Sequence, residues 1–211
     1  MPNWVYNTVQ IQGTPTEIEA IKNQLNSPFT MEQTDPLKDE ERTVTFSNPV
    51  FAFWNIVRPP VEKMDEYNTT HGWSKEGQTG DTEYNWYNFN HREWGTKWDV
   101  AVSDDAKYRE TELVGQSPVM LTYRFNTAWS DPREALKALS AQYPKARILN
   151  EWEEEQGYGA TTYYKNGTVS EKGYYDFICD DCGKGKKGEY IYDEDSATKQ
   201  CKPCSKKAVS A

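Results

Sequence analysis

Histidine is scarce in this chain, which has only His71 and His91, and cysteine is absent until residue 179. No apolar run approaches the ~20 residues needed to cross a bilayer. The opening MPNWVYNTVQ lacks the basic region and apolar stretch of a secretion signal. Together these absences make the cytoplasm the expected location. Accordingly, Asn68-Thr69-Thr70 and Asn166-Gly167-Thr168 are read as turns and not as glycosylation acceptors. Nucleophile-elbow, H-E-x-x-H and G-x-G-x-x-G sequences are also missing. With so few convergent groups the expectation is a non-enzymatic protein, and Glu151, Glu153, Glu154 and Glu155 are read as a solvated strand end.

What is present is aromatic and acidic. Aromatic residues make up 14% of the chain, enough for a real core, and the net charge is -9. Residues 1–172 carry all of that excess; residues 173–211 have 7 Lys+Arg against 7 Asp+Glu. The acidic part repels polyanions, so nucleic acid would need a local basic surface. All four cysteines lie in the neutral tail, which predicts a domain over 1–172 and a separate module over 173–211.

Val5, Val9 and Ile11 alternate and Gly13 ends the run, as in a strand. Thr14-Pro15-Thr16-Glu17 then supplies a capping box with Pro at the first helical position, and Ile18, Ile21 and Leu25 form the stripe of a helix. The grammar repeats in Val119, Leu121, Tyr123 and Phe125, the cap Asp131-Pro132-Arg133-Glu134, and the stripe Leu136, Leu139, Tyr143. A strand over 146–152 follows, and Asn166-Gly167 predicts a type I′ hairpin. With Thr43–Phe46 as the strand after the first helix, the duplicated β-α-β pattern predicts an α+β, ferredoxin-like sandwich with both helices on one sheet face. Trp4 and Tyr6 fall on the opposite face, where they could stack bases. A long excursion, roughly 50 to 117, separates the halves and includes a Gly/Thr-rich turn region around 69–82.

Within it, NFNHREWGTKWDV (88–100) predicts an aromatic helix over 84–94, a Gly95 corner, and a strand with Trp98, Val100 and Val102 on one face and Lys97 and Asp99 on the other. Two readings follow: tryptophans in the core with a Lys97–Asp99 surface pair, or a binding site built from Asn90, His91, Trp94, Lys97, Trp98 and Asp99.

Taken in order, MPNWVYNTVQIQG, FAFWNIVRPP, WGTKWDV, FNTAWSDPREAL and EEEQGYGATTYYKNG resemble the YubB-type ferredoxin-like family of phage and plasmid accessory proteins, over roughly residues 1 to 170. The resemblance implies a ferredoxin-like fold on a mobile genetic element and carries over no catalytic residues. The chain departs from the pattern at Ser130-Asp131-Pro132, where the family has Ser-Pro-Pro, and in its cysteine-rich tail.

That tail holds CDDC (179–182) and CKPC (201–204), eighteen residues apart, the spacing of a four-thiolate site. Cys179, Cys182, Cys201 and Cys204 are therefore expected to hold Zn2+ in a small zinc ribbon; iron takes the same ligands, and two disulfides or a redox pair are the other readings. Four sulfurs leave no open position, so the metal is expected to be structural. Lys184, Lys186, Lys187, Lys199 and Lys202, with Tyr190 and Tyr192, form a candidate nucleic-acid surface, and Lys206 and Lys207 lie beside it. The leading functional expectation is a factor that binds a host protein in a takeover or anti-defence role; the alternative is a zinc-ribbon nucleic-acid binder.

Overall fold

Alternating apolar residues set β1 (Trp4–Gln12), and Val5, Val9 and Ile11 are buried as expected. The computed structural model describes residues 2–35, 40–69, 83–107, 110–193 and 198–208; His71 and nearly all of the 69–82 turn region lie outside them. Thr14 and Glu17 complete the capping box of α1 (Pro15–Leu25). Next come β2 (Phe29–Asp35), β3 (Glu40–Phe46), α2 (Met64–Thr69) and α3 (Trp86–Glu93). The second half contains β4 (Glu112–Ser117), β5 (Met120–Ala128), α4 (Arg133–Gln142), β6 (Arg147–Glu154), β7 (Gly159–Lys165) and β8 (Thr168–Tyr175). Short elements close the described chain: β9 (Phe177–Ile178), β10 (Gly185–Lys186), β11 (Ile191–Asp193), β12 (Thr198–Gln200) and α5 (Lys202–Ala208).

The main sheet has the order β4-β5-β1-β6-β7-β8, with antiparallel neighbours throughout. Its first four strands reproduce the split β-α-β arrangement of a ferredoxin-like domain. The Asn166-Gly167 hairpin then adds two more, with φ of 47° and 72° at the turn as a type I′ geometry requires. The expected role of Thr43–Phe46 is corrected. That segment pairs with β2 in a separate two-stranded sheet, with Phe29 stacked on Phe46 at 4.4 Å. Its place in the main sheet goes to β4, which is one tight turn from β5 and needs little loop closure to pair with it. The boundary expected at 172/173 falls inside β8, so the sheet continues to Tyr175.

The excursion plugs the core. Phe51, Ala52 and Phe53 are wholly buried, and Phe51 packs on Tyr123 and Phe125 of β5 at 5.1 and 5.0 Å. Each ring buried in this way contributes about 2–3 kcal/mol. A second, smaller cluster of Val5, Trp152 and Ala160, with Tyr158 and Tyr174 against it, lies on the same sheet face. The opposite face leaves Tyr6 and Tyr163 exposed.

Candidate metal centre and aromatic corner

The two cysteine pairs converge because each sits at the end of a short strand. Cys179 follows β9 and Cys182 closes the adjoining turn, where the Gly183 N–H donates to the Cys179 carbonyl at 2.7 Å and Gly183 takes φ 63°. Cys201 follows β12, and Cys204 lies in α5, its N–H donating to the Cys201 carbonyl at 2.8 Å. The four sulfurs lie within 4.8 Å of one another. A tetrahedral ion with ~2.3 Å bonds to sulfur fits that spacing. Cys179 and Cys201 are buried with Phe177, while Cys182 reaches solvent. The Cys201 N–H donates to Cys179 Sγ at 3.3 Å and holds that thiol down, to about 6. Cys204 is pushed upward, first by its hydrogen bond with Cys201. Sulfurs this close cannot all ionise without a cation among them, and a divalent metal removes that conflict.

The candidate nucleic-acid residues surround this centre without forming one stripe. Lys184, Lys187, Tyr190, Tyr192 and Lys202 are exposed; Lys186 and Lys199 are half-buried. Two lysines rest on tyrosines: Lys187 Nζ is 6.0 Å from the Tyr174 ring, and Lys199 Nζ is 5.4 Å from Tyr190. Lys199 Nζ also donates to the Gln156 carbonyl at 2.7 Å, tying the module to the turn after β6. The side chains of Lys206 and Lys207 lie outside the described residues.

The aromatic corner is not the helix, turn and strand the sequence predicts. The helix is shorter, with Asn85 as its N-cap, and Gly95 ends it at φ 81° as expected. Residues 96–102 form no strand; instead, the Asp99 carboxylate turns inward. It accepts from the N–H groups of Phe53 (2.9 Å), Trp54 (2.8 Å), Val100 (2.7 Å) and Ala101 (3.1 Å), bonds that only an irregular path allows. Burial still pushes Asp99 up to about 6, against the pull of those four donors. Among the described residues Asp99 and Lys97 form no ion pair; Lys97 Nζ lies 4.7 Å from the Trp98 ring.

Asn90 accepts from the Tyr67 hydroxyl and donates to the Lys97 carbonyl, and buried Trp94 donates through Nε1 to the Val57 carbonyl. His91 packs on Tyr87 at 4.4 Å, and its pKa is lowered by burial and then by Lys97. Of the six candidate residues, Asn90, Trp94 and Asp99 therefore brace the corner. Lys97 is half-buried, and Trp98 is exposed and tilted against Trp4 at 6.3 Å.

Two features escaped the sequence. Exposed Trp129 sits at φ 76°, a rare conformation for a bulky residue. Glu154, read as solvated, is wholly buried; counting by two from Trp152 would have turned it inward. Asp131 likewise does not cap α4. The N-cap is Pro132, and the Asp131 carboxylate meets Arg133 Nε at 3.6 Å and the Tyr164 hydroxyl at 3.4 Å.

In sequence, residues 96–202 match the family described as the ferredoxin-like domain in Api92-like protein. That span is just over half of the chain and includes the first three cysteines. Among solved structures the chain is similar to the crystal structure of protein api92 from Yersinia pseudotuberculosis, at 10% identity and a TM-score of 0.47, covering 84% of this chain and 100% of that one. No curated protein matches.

Proposed function

The chain belongs to the Api92-like family, and on that premise we propose that it is a non-enzymatic accessory protein of a phage or plasmid, of YubB-type kinship, that binds a host protein in the cytoplasm. The observation that carries this reading is the set of exposed aromatics on a braced frame. Trp98 and Trp129 stand 40% and 48% exposed, and Tyr6 and Tyr87 are exposed as well. Tryptophan and tyrosine held at a surface are the residues that most often anchor a protein interface. Strain at Trp129 supports the same reading, since strained backbone concentrates at functional sites. The net charge of -9 favours a basic partner surface.

The cysteine centre supports a zinc ribbon as the second part of the proposal. Four sulfurs fill a tetrahedral shell, so zinc would staple the C-terminal hairpins and expose no Lewis-acid position. When bound, the ion supplies folding energy to residues beyond β8.

A second reading, nucleic-acid binding through the ribbon, is favoured by the pairing of Lys187 with Tyr174 and Lys199 with Tyr190. Affinity capture from bacterial lysate, with and without nuclease, separates the two. A protein retained after nuclease and lost in Trp98→Ala/Trp129→Ala supports the lead. Recovery of nucleic acid alone, lost in Lys187→Glu/Lys199→Glu, replaces it with the second reading.

A further inference from the structure

Asp99 and Glu154 are both carboxylates turned inward, and the chain treats them differently. Asp99 receives four backbone N–H groups. Glu154, with no exposed surface, receives one among the described residues: Gln156 N–H donates to Oε2 at 2.6 Å, and no described donor reaches Oε1. A buried carboxylate oxygen without a partner is costly, and the usual remedy is a cation or a donor supplied from elsewhere.

The surroundings specify the cation. Glu154 and Trp152 share the buried face of β6, and the next strand brings Ala160 opposite Trp152. Tyr158 sits edge-on to Trp152 at 6.1 Å, and Tyr158 and Tyr174 are half-buried, so both wall the cluster and reach solvent. The Glu154 N–H donates to the Tyr158 carbonyl at 2.8 Å, so the two residues are held as neighbours across the turn. The Tyr174 ring already attracts a cation, Lys187 at 6.0 Å from its centroid, which makes no ion pair with Glu154 among the described residues. Aromatic faces around a carboxylate recognise a bulky, weakly hydrated positive head.

We propose that Glu154, Trp152, Tyr158 and Tyr174 form a binding site for an organic cation, a methylated ammonium or a guanidinium. The site goes beyond the protein-binding reading and does not depend on it. Entry is past Tyr158, which rides on the turn where Gly157 takes φ 92°. The head group seats between the rings and presents its charge to Oε1.

The test is a titration of the full-length, metal-replete protein at constant ionic strength, followed by 15N–1H NMR of the Trp152 indole and the 156–160 amides. Probes are tetramethylammonium, methylguanidinium and the uncharged isostere tert-butyl alcohol. Saturable shifts with the cations, at a Kd of about 1 mM or tighter, and none with the alcohol are expected. Glu154→Gln should weaken binding at least tenfold. Tyr174→Ala, which removes a wall and leaves the carboxylate in place, should weaken it too, and stands as the test where Glu154→Gln does not fold. Equal response to the alcohol, no saturable shift, or undiminished binding in a folded Glu154→Gln or Tyr174→Ala overturns the site. An arginine-containing peptide that reproduces the shifts assigns the head group to a polypeptide side chain; shifts from the free cations alone assign it to a small molecule.

Discussion

The Asp99 carboxylate accepts the N–H of Phe53 at 2.9 Å, and this bond joins the aromatic corner to the segment that plugs the core. Phe53 is wholly buried against Trp94 and Phe125, so a shift of Asp99 would be felt beneath the sheet. The same carboxylate holds Val100 and Ala101, and so sets how Trp98 meets Trp4.

This arrangement fixes the sign of a pH effect. Burial raises Asp99 from 3.8 to about 6 in the folded chain. The folded state therefore holds the proton more tightly than the unfolded chain, and the Asp99 contribution to stability is full below pH ~4 and lost as pH rises through 6. About two pKa units correspond to about 3 kcal/mol at most. Asp99→Asn should abolish this slope. It should also lose about 1–3 kcal/mol at pH 5, because an amide NH2 would oppose one of the four N–H donors. Urea unfolding of both proteins at intervals from pH 4 to 7 checks this; parallel stability curves would remove Asp99 as its source.

Gly95 offers a steric test of the same corner. At φ 81°, an added Cβ would lie 3.1 Å from Arg133 N and 3.2 Å from Glu134 N, at the start of α4. The glycine carbonyl also accepts the Ser130 hydroxyl. Gly95→Ala should cost about 1–3 kcal/mol through backbone strain and displacement of α4. Thermal unfolding reads this directly, and an unchanged Tm would mean that the corner can relax without cost.

How far the fold was legible follows from the range of the interactions. The Thr14–Glu17 capping box, the alternation of β1 and the Asn166-Gly167 turn are set by neighbours a few residues apart, and each appears as read. The identity of the second sheet strand depends on which of two β-forming segments pairs with β5, and the intervening excursion hides that choice. Asp99 misled for a related reason. Trp98, Val100 and Val102 have strand periodicity, but the donors that draw Asp99 inward come from Phe53 and Trp54, far away in sequence. The cysteine spacing was legible because knuckle geometry is local.

The Lys199 contacts link the C-terminal module to the sheet and should be separable from stability. Lys199→Ala removes the bond to Gln156 O and the contact with Tyr190, both near solvent, and should change global stability by less than about 1 kcal/mol. Amide hydrogen exchange in the 154–158 turn should nevertheless quicken severalfold, with metal content unchanged. Unaltered exchange would show that the turn is held by its own bonds, Gly157 N–H to Glu154 O and Glu154 N–H to Tyr158 O.

Cys182→Ser tests the candidate metal centre most directly, because Cys182 is the exposed one of the four cysteines and lies outside the buried cluster of Phe177, Cys179 and Cys201. Loss of one sulfur leaves three, and the ion then has to take a weaker water or hydroxyl ligand. The protein as purified should carry one zinc per chain, and Cys182→Ser should lose it. The hairpins of residues 177–200 should then lose their dispersed amide resonances, because among the described residues the buried cluster beneath them is only Phe177, Cys179 and Cys201. The six-stranded sheet should keep its resonances, since its core is built from β1, β5, β6 and the helices. Retention of a full equivalent of zinc would sink the four-thiolate assignment, and iron with visible thiolate absorption in the purified chain would replace zinc at the same four sulfurs.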